Sequence, residues 1–371
     1  MPPLTLDPLT DSQIHLAYFI SPHGFGHAAR AAAVMEAVHQ IAPRICFEIF
    51  TTVPSWFLSV SLTGPYAYHP CVTDVGLVQR TPMEEDLSET VSLLSSFLPF
   101  KEESLSGLGE AVRSSNCMLV ICDISPLGIA VAKRLGIPSL LIENFTWDWI
   151  YECYAARAPL MKVFGDYLSP LFEAATYRIQ TEPVCVPARA DLVTPPVSRA
   201  FRMAPEEVRR QLGAAPNTKV VTVTMGGVAE ETQGLGGVEG AGNVLFVAPG
   251  GSRVARRTKN MILLPRQGGL FHPDLIRASD GVVGKIGYST LAEVYYAGVP
   301  FGYIARAAFR ESGVLAAFMR NEMQGVEIQD RSFRDGSWAR RIPDLLDLPR
   351  VGREGPTGSA VAARFIVDLI R

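Results

Sequence analysis

A repeated pattern constrains this chain most: a short apolar run stops at a loop or glycine, and a helix-patterned stretch follows. "IHLAYFI" (14–20) leads into "SPHGFGHAAR" (21–30), and a helical pattern then starts near His27. "ICFEIFTT" (45–52) reads as a strand, "DLSETVSLLSSFLPFKEESLSGLGEAV" as largely helical, and "CMLVICD" (117–123) as a buried strand. "SPLGIAVAKRLG" is a helix closed by Gly136, and "IPSLLIEN" (137–144) is the next strand. Runs this short and this continuously apolar suit parallel strands covered on both faces. Their alternation with helices predicts a doubly wound α/β fold.

The length, 371 residues, exceeds one ordinary core and suits two. The segment 183–205, "PVCVPARADLVTPPVSRAFRMAP", holds five prolines and no sustained period, and reads as a linker. Beyond it the alternation restarts. "PEEVRRQLG" is a helix with Pro205 at its start and Gly213 at its end; "TKVVTVTMGG", "NVLFVAPGG" and "NMILLPRQGG" are strands running into glycines. "DGVVGKIGYSTLAEVYYAGVPFGYI" is strand, loop, helix and strand, and "GSAVAARFIVDLIR" is a terminal helix. The segment 226–242 is too rich in glycine for a robust helix and predicts a flexible excursion. The expected division is 1–195, 196–355 and a C-terminal helix at 356–371.

Composition excludes several classes. With 48% hydrophobic and 19% charged residues, disorder is ruled out. Net charge is −3 and no basic stripe appears, so a nucleic-acid partner is not expected. The six cysteines form no C-x-x-C pair and read as buried free thiols in a reducing compartment. No basic region precedes Arg30, and no apolar stretch reaches the ~20 residues of a membrane span. A cytoplasmic protein is expected.

Four strand ends could carry chemistry. In the first, Gly24 and Gly26 let backbone approach a ligand at a helix start, and His23, Phe25 and His27 stand among them. His27 faces the ligand or serves packing; a metal held by His23 and His27 is the weaker alternative, with no carboxylate cluster beside them. The second is Asp123, which either orients the His27 imidazole or caps the helix near Pro126, where Ser125 competes. The third, "ENFTWDWIYECY" (143–154), offers Asn144, Trp147, Asp148 and Trp149 to a sugar or small acceptor, unless the tryptophans are core and Thr146 caps a helix. The fourth carries the strongest signal. Gly284 and Gly287 leave backbone open to an anion, Ser289 and Thr290 start a helix, and Glu293 one turn on suits a ribose diol.

Taken together, "HGFGHAAR", "NFTWDWIY", "GKIGYSTLAEVYYAGVPF" and "FRESGVLAAFMRNEMQGVEI" closely resemble the glycosyltransferase-like N-terminal half of L-arabinokinases and its stand-alone bacterial relatives. The resemblance runs from about His15 to Asp347. Gly287, Thr290 and Glu293 are similar to the G-x-x-T-x-x-E arrangement on the nucleotide-binding helix of GT-B transferases. It implies two Rossmann-like domains facing each other across a cleft, with the last helix crossing back to the first domain. By that likeness Gly226 and Gly227 lie near a donor diphosphate, Arg266 in "LLPRQGG" near the base, Glu293 at the ribose, and Arg310 or Glu311 near the donor sugar. His27 aligns with a histidine that serves as base or phosphate contact. Kinase chemistry belongs to a separate galactokinase-type domain and is not carried over.

The expectation is a glycosyltransferase of hexosyl or acetylhexosaminyl type, using a UDP-type sugar as donor substrate. His27 and Asp123 are its catalytic pair, and it requires no metal or further cofactor. A non-catalytic sugar-nucleotide-binding module and a nucleotide-sugar epimerase are the competing readings. The sequence names neither the acceptor nor the oligomeric state.

Overall fold

The computed structural model describes residues 13–226, 235, 238, 242–267 and 269–371. The chain enters through β1 (Ile14–Ile20), buried from Leu16 onward, and turns into α1 (Gly24–Ile41), where Gly24 takes a positive φ of 69°. Alanines make up much of α1, so the helix sinks deep: nearly everything from His27 to Met35 is buried. There follow β2 (Ile45–Thr51), α2 (Ser55–Ser61), β3 (Tyr66–Pro70) and the short pair β4 (Gln79–Thr81) and β5 (Glu84–Glu85). Next come α3 (Leu87–Phe97), α4 (Glu102–Ser114), β6 (Val120–Asp123), α5 (Pro126–Leu135) and β7 (Ser139–Glu143). α6 (Trp147–Glu152), α7 (Leu160–Glu173), β8 (Tyr177–Thr181) and β9 (Leu192–Thr194) complete this stretch.

Two expectations change here. The long helical stretch is two helices, because Pro99 cannot donate to a continuing helix and α3 stops before it. The proline-rich segment is not wholly a linker: Leu192–Thr194 pairs in parallel with Ile179–Thr181 as the edge strand of the sheet. A three-residue edge strand is too short to show a period, and its prolines lie outside the paired residues.

The second half runs through α8 (Pro205–Gln211), β10 (Lys219–Thr224), β11 (Val244–Ser252), β12 (Arg256–Arg257), β13 (Met261–Pro265) and α9 (His272–Ala278). It continues with β14 (Gly281–Lys285), α10 (Tyr288–Ala297), β15 (Phe301–Ile304), α11 (Arg310–Glu322) and β16 (Gly325–Glu327). Last are α12 (Asp330–Arg334), α13 (Ile342–Leu346) and α14 (Gly358–Leu369). Gly227 and most of the glycine-rich 226–242 segment lie outside the described residues.

The chain separates into two units. Residues up to Val78, Glu85–Arg199 and Pro356–Arg371 form one; Gln79–Glu84 and Ala200–Gly355 form the other. α14 belongs to the first unit, where it packs on α1. The first unit holds a seven-stranded parallel sheet in the order β3-β2-β1-β6-β7-β8-β9. The second holds another seven, β12-β13-β11-β10-β14-β15-β16, parallel except for β12. Val221, Val223, Phe246, Val283, Trp338 and Leu345 lie in the core on one side of this second sheet.

In each sheet the strand order reverses once, between β1 and β6 in the first and between β10 and β14 in the second. At such a reversal the flanking crossovers diverge to opposite faces and leave a crevice outside the carboxyl ends of the two strands. The loops after β1 and β6 therefore converge within the first unit, and those after β10 and β14 within the second.

Among the described residues no helix is long and apolar enough to cross a membrane. Among the described residues no cysteine forms a disulfide; Cys46, Cys117 and Cys122 are buried as expected, whereas Cys153 is exposed and Cys71 and Cys185 are half-buried.

Candidate active site

At the first reversal, α1 presents His27 and Arg30 one turn apart on the face that meets the end of β6. His27 Nδ1 lies 2.8 Å from Asp123 Oδ1. Arg30 takes the same carboxylate with two donors, Nε to Oδ2 at 2.8 Å and Nη2 to Oδ1 at 2.7 Å. Its Nη1 donates to Asn144 Oδ1 at 2.6 Å. Asp123 is wholly buried, which by itself would raise its pKa; the Arg30 charge and the bonds from Arg30 and His27 outweigh burial and hold the carboxyl below its usual range. An ionised Asp123 accepts only, so Nδ1 carries the imidazole proton and the Nε2 lone pair is left outward. Among the described residues Nε2 makes no hydrogen bond.

Ser125, the alternative cap, donates to the Thr73 carbonyl at 3.2 Å, and no side chain caps α5. His23 is occupied differently: its Nδ1 accepts from the Leu77 amide at 3.4 Å, and its ring stands edge-on to Trp147. Among the described residues neither it nor His27 joins a converging group of metal-type ligands. Phe25 stacks on Phe57 with ring centroids 4.8 Å apart.

The structure corrects part of the acceptor set. Asn144 and Trp147 have no exposed surface. Asn144 is spent on Arg30, and the Trp147 indole donates to Asp74 Oδ2 at 3.1 Å and stacks on Tyr151. Polar and aromatic types at a strand end look the same in sequence whether they face a ligand or floor the site; here these two form the floor. Asp148 is half-buried, and among the described residues its Oδ1 has no hydrogen-bond partner.

Two residues of this centre carry no sequence expectation. Arg30 had a signal, a lone arginine in an alanine-rich buried stretch that needs a buried anion. Asp74 had none. It accepts from Ser21 Oγ at 3.0 Å and from Trp147, and burial, with the nearby Asp123 charge adding, pushes it up to about 7.

At the second reversal, Gly226 follows β10 with φ of 79°, and α10 begins after Gly287, which supplies no side-chain cap. The first-turn amides at Ser289 and Thr290 therefore lack intrahelical partners. Lys285, overlooked in the sequence, closes β14 with its ammonium nitrogen 3.6 Å from where a Gly226 side chain would begin. Gly284 is a correction: it lies within β14, and a side chain there would meet the Thr224 carbonyl oxygen at 1.8 Å. Its glycine serves strand packing, whereas a side chain at Gly287 would meet open space. Glu293 is buried, with Oε2 2.5 Å from His272 Nδ1 at the start of α9. Arg266 is exposed just past β13, beside Gly250. Arg310, exposed, and Glu311, buried, open α11.

Solved structures share this fold. Arabidopsis thaliana UGT89C1 complexed with UDP matches with a TM-score of 0.64 at 13% identity, over 97% of this chain and 100% of that one. The chain has the GT-B glycosyltransferase fold. A Polygonum tinctorium UDP-glucosyltransferase matches this GT-B chain with a TM-score of 0.62 at 16% identity over 97% of it and 99% of the other. For the glycosyltransferase SnogD from Streptomyces nogalater the values are 0.57 and 16%, over 96% and 100%. In sequence, the L-arabinokinase of Arabidopsis thaliana is 28% identical over 362 residues, 95% of the GT-B chain; the chain spans about a third (34%) of that relative's length. No family model matches the chain.

Proposed function

We propose that this chain transfers a sugar from a UDP-type donor to an acceptor hydroxyl, with His27 as general base. The observation that carries the reading is the His27–Asp123 bond of 2.8 Å, which fixes the tautomer with Nε2 directed away from the carboxylate. Nε2 takes the acceptor proton as its oxygen bonds to the anomeric carbon, and the bond from that carbon to the diphosphate breaks. Charge developing on the departing diphosphate meets the α10 amides at Ser289 and Thr290, the Gly226 turn and the Lys285 ammonium. These fixed dipoles and one cation supply the stabilisation that a divalent ion gives elsewhere, so the proposed transfer requires no metal.

Glu293, oriented by His272, is the candidate for the ribose diol, Arg266 for the base, and Arg310 and Glu311 for the sugar. On the acceptor side His23, Phe25 and Asp148 remain. Support for a UDP donor comes from the neighbours: UGT89C1 structures are known with UDP and with UDP-L-rhamnose.

The test is a thermal-shift screen of the full chain against UDP, other nucleoside diphosphates and UDP-sugars, followed by UDP release over an acceptor panel. A ligand at 100 times its Kd stabilises the native state by about 2.7 kcal/mol, enough to read as a clear rise in Tm. A shift with UDP and acceptor-dependent UDP release is expected. No shift with any nucleoside diphosphate overturns the reading; a shift without turnover converts it to a binding module.

A further inference from the structure

Among the described residues, the ligand atoms of His15, Cys46 and Glu48 all lie within 4.8 Å of one another. Sheet register explains why. Cys46 and Glu48 are two apart on β2 and so share a face. His15 on β1 is paired with Cys46, and His69 on β3 with Phe50, which places all four on that face. His15 Nδ1 is 2.8 Å from Glu48 Oε1, and His69 Nε2 is 2.6 Å from Glu48 Oε2. Cys46 and Glu48 are buried, while the side chains of His15 and His69 keep 27% and 34% of their surface. A buried carboxylate flanked by a thiol and an imidazole, with an open edge, suits a borderline-soft divalent cation better than it suits a packed core.

We propose that His15 Nδ1, Cys46 Sγ and a Glu48 oxygen bind one Zn2+ ion, with solvent in the fourth position. His69 braces the other Glu48 oxygen, as partners of ligating carboxylates do. The His15–Glu48 pair has to open by about half an ångström, since ligand atoms around tetrahedral zinc stand ~3.3 Å apart. Binding displaces the Cys46 thiol proton to solvent. The ion ties β1 to β2 near their starts, about 16 Å of strand away from the end of β1 that leads into α1 and His27, so it acts on the stability of the first sheet and not on the transfer.

The experiment uses the tag-free, reduced and chelator-stripped full chain, titrated with Zn2+ against a chromophoric chelator and with Co2+ by absorption. One equivalent of Zn2+, a tetrahedral cobalt spectrum and a thiolate-to-cobalt charge-transfer band are expected, together with a higher Tm on adding Zn2+. His15→Gln and Cys46→Ser should abolish stoichiometric binding, and Cys46→Ser should also remove the charge-transfer band. His69→Gln should weaken affinity by about 10- to 100-fold. Cys153→Ser, at an exposed thiol outside the cluster, should change nothing. A wild-type chain without the charge-transfer band overturns the proposal, whatever the variants do. So does a folded His15→Gln or Cys46→Ser chain that binds as the wild type does.

Discussion

Arg30 Nη2 stands 2.7 Å from the same Asp123 oxygen that receives the His27 Nδ1–H. Two cation-capable side chains thus share one buried carboxylate, and its charge is divided between holding the fold and orienting the imidazole. Asp123→Asn separates these duties. The substitution leaves the buried Arg30 without its counter-ion and should destabilise the chain by about 3–5 kcal/mol. Urea denaturation measures it; a loss under ~1 kcal/mol contradicts the buried pair.

For His27→Ala the expected loss is catalytic. Removing a general base costs about 10²- to 10⁴-fold in turnover. UDP release should fall by that factor while the thermal shift produced by UDP stays, because the donor groups belong to other loops. Undiminished turnover rules out this base.

Asp74 gives the chain a pH-dependent stability of unusual sign. Its carboxyl is pushed from 3.8 up to about 7 by burial. Below about pH 4 both folded and unfolded chains hold the proton. Between about 4 and 7 the unfolded chain has released it and the folded chain has not, so stability falls as pH rises, by about 4 kcal/mol at most. Above about 7 both are ionised and the loss is constant. Asp74→Asn keeps an acceptor for one donor, and the Ser21 hydroxyl can rotate to the other group. Denaturation midpoints from pH 4 to 8 should be flatter for the variant than for the wild type; identical profiles would refute the assignment.

The two glycines of "GKIG" and the strand before it invite a direct contrast. Gly284→Ala puts a methyl 1.8 Å from the Thr224 carbonyl oxygen, so β10 and β14 must part; a loss above about 4 kcal/mol or failure to fold is expected. Gly287→Ala meets open space with φ of −141°, so stability should change by under ~1 kcal/mol. Any effect there should appear in UDP affinity. Equal tolerance at both positions would contradict the strand placement.

What the sequence determined by itself is local. Short apolar runs followed by helical spacing are encoded within about twenty residues, and so the inner strands they mark and the α/β class were legible. Element bounds were less so: α1, expected from near His27, starts at Gly24, and the more polar β3 and β8 carry no such run. The tertiary structure decided which strand lies beside which. His27 and Asp123 are 96 residues apart and meet because β1 and β6 are neighbours at the point where the strand order reverses. Burial was decided at the same level: Trp147 and Asn144 turn inward under Asp74 and Arg30, and Gly284 is glycine for the sake of Thr224 across the ladder. Such distinctions depend on neighbours brought together by sheet order, and no window of sequence contains them.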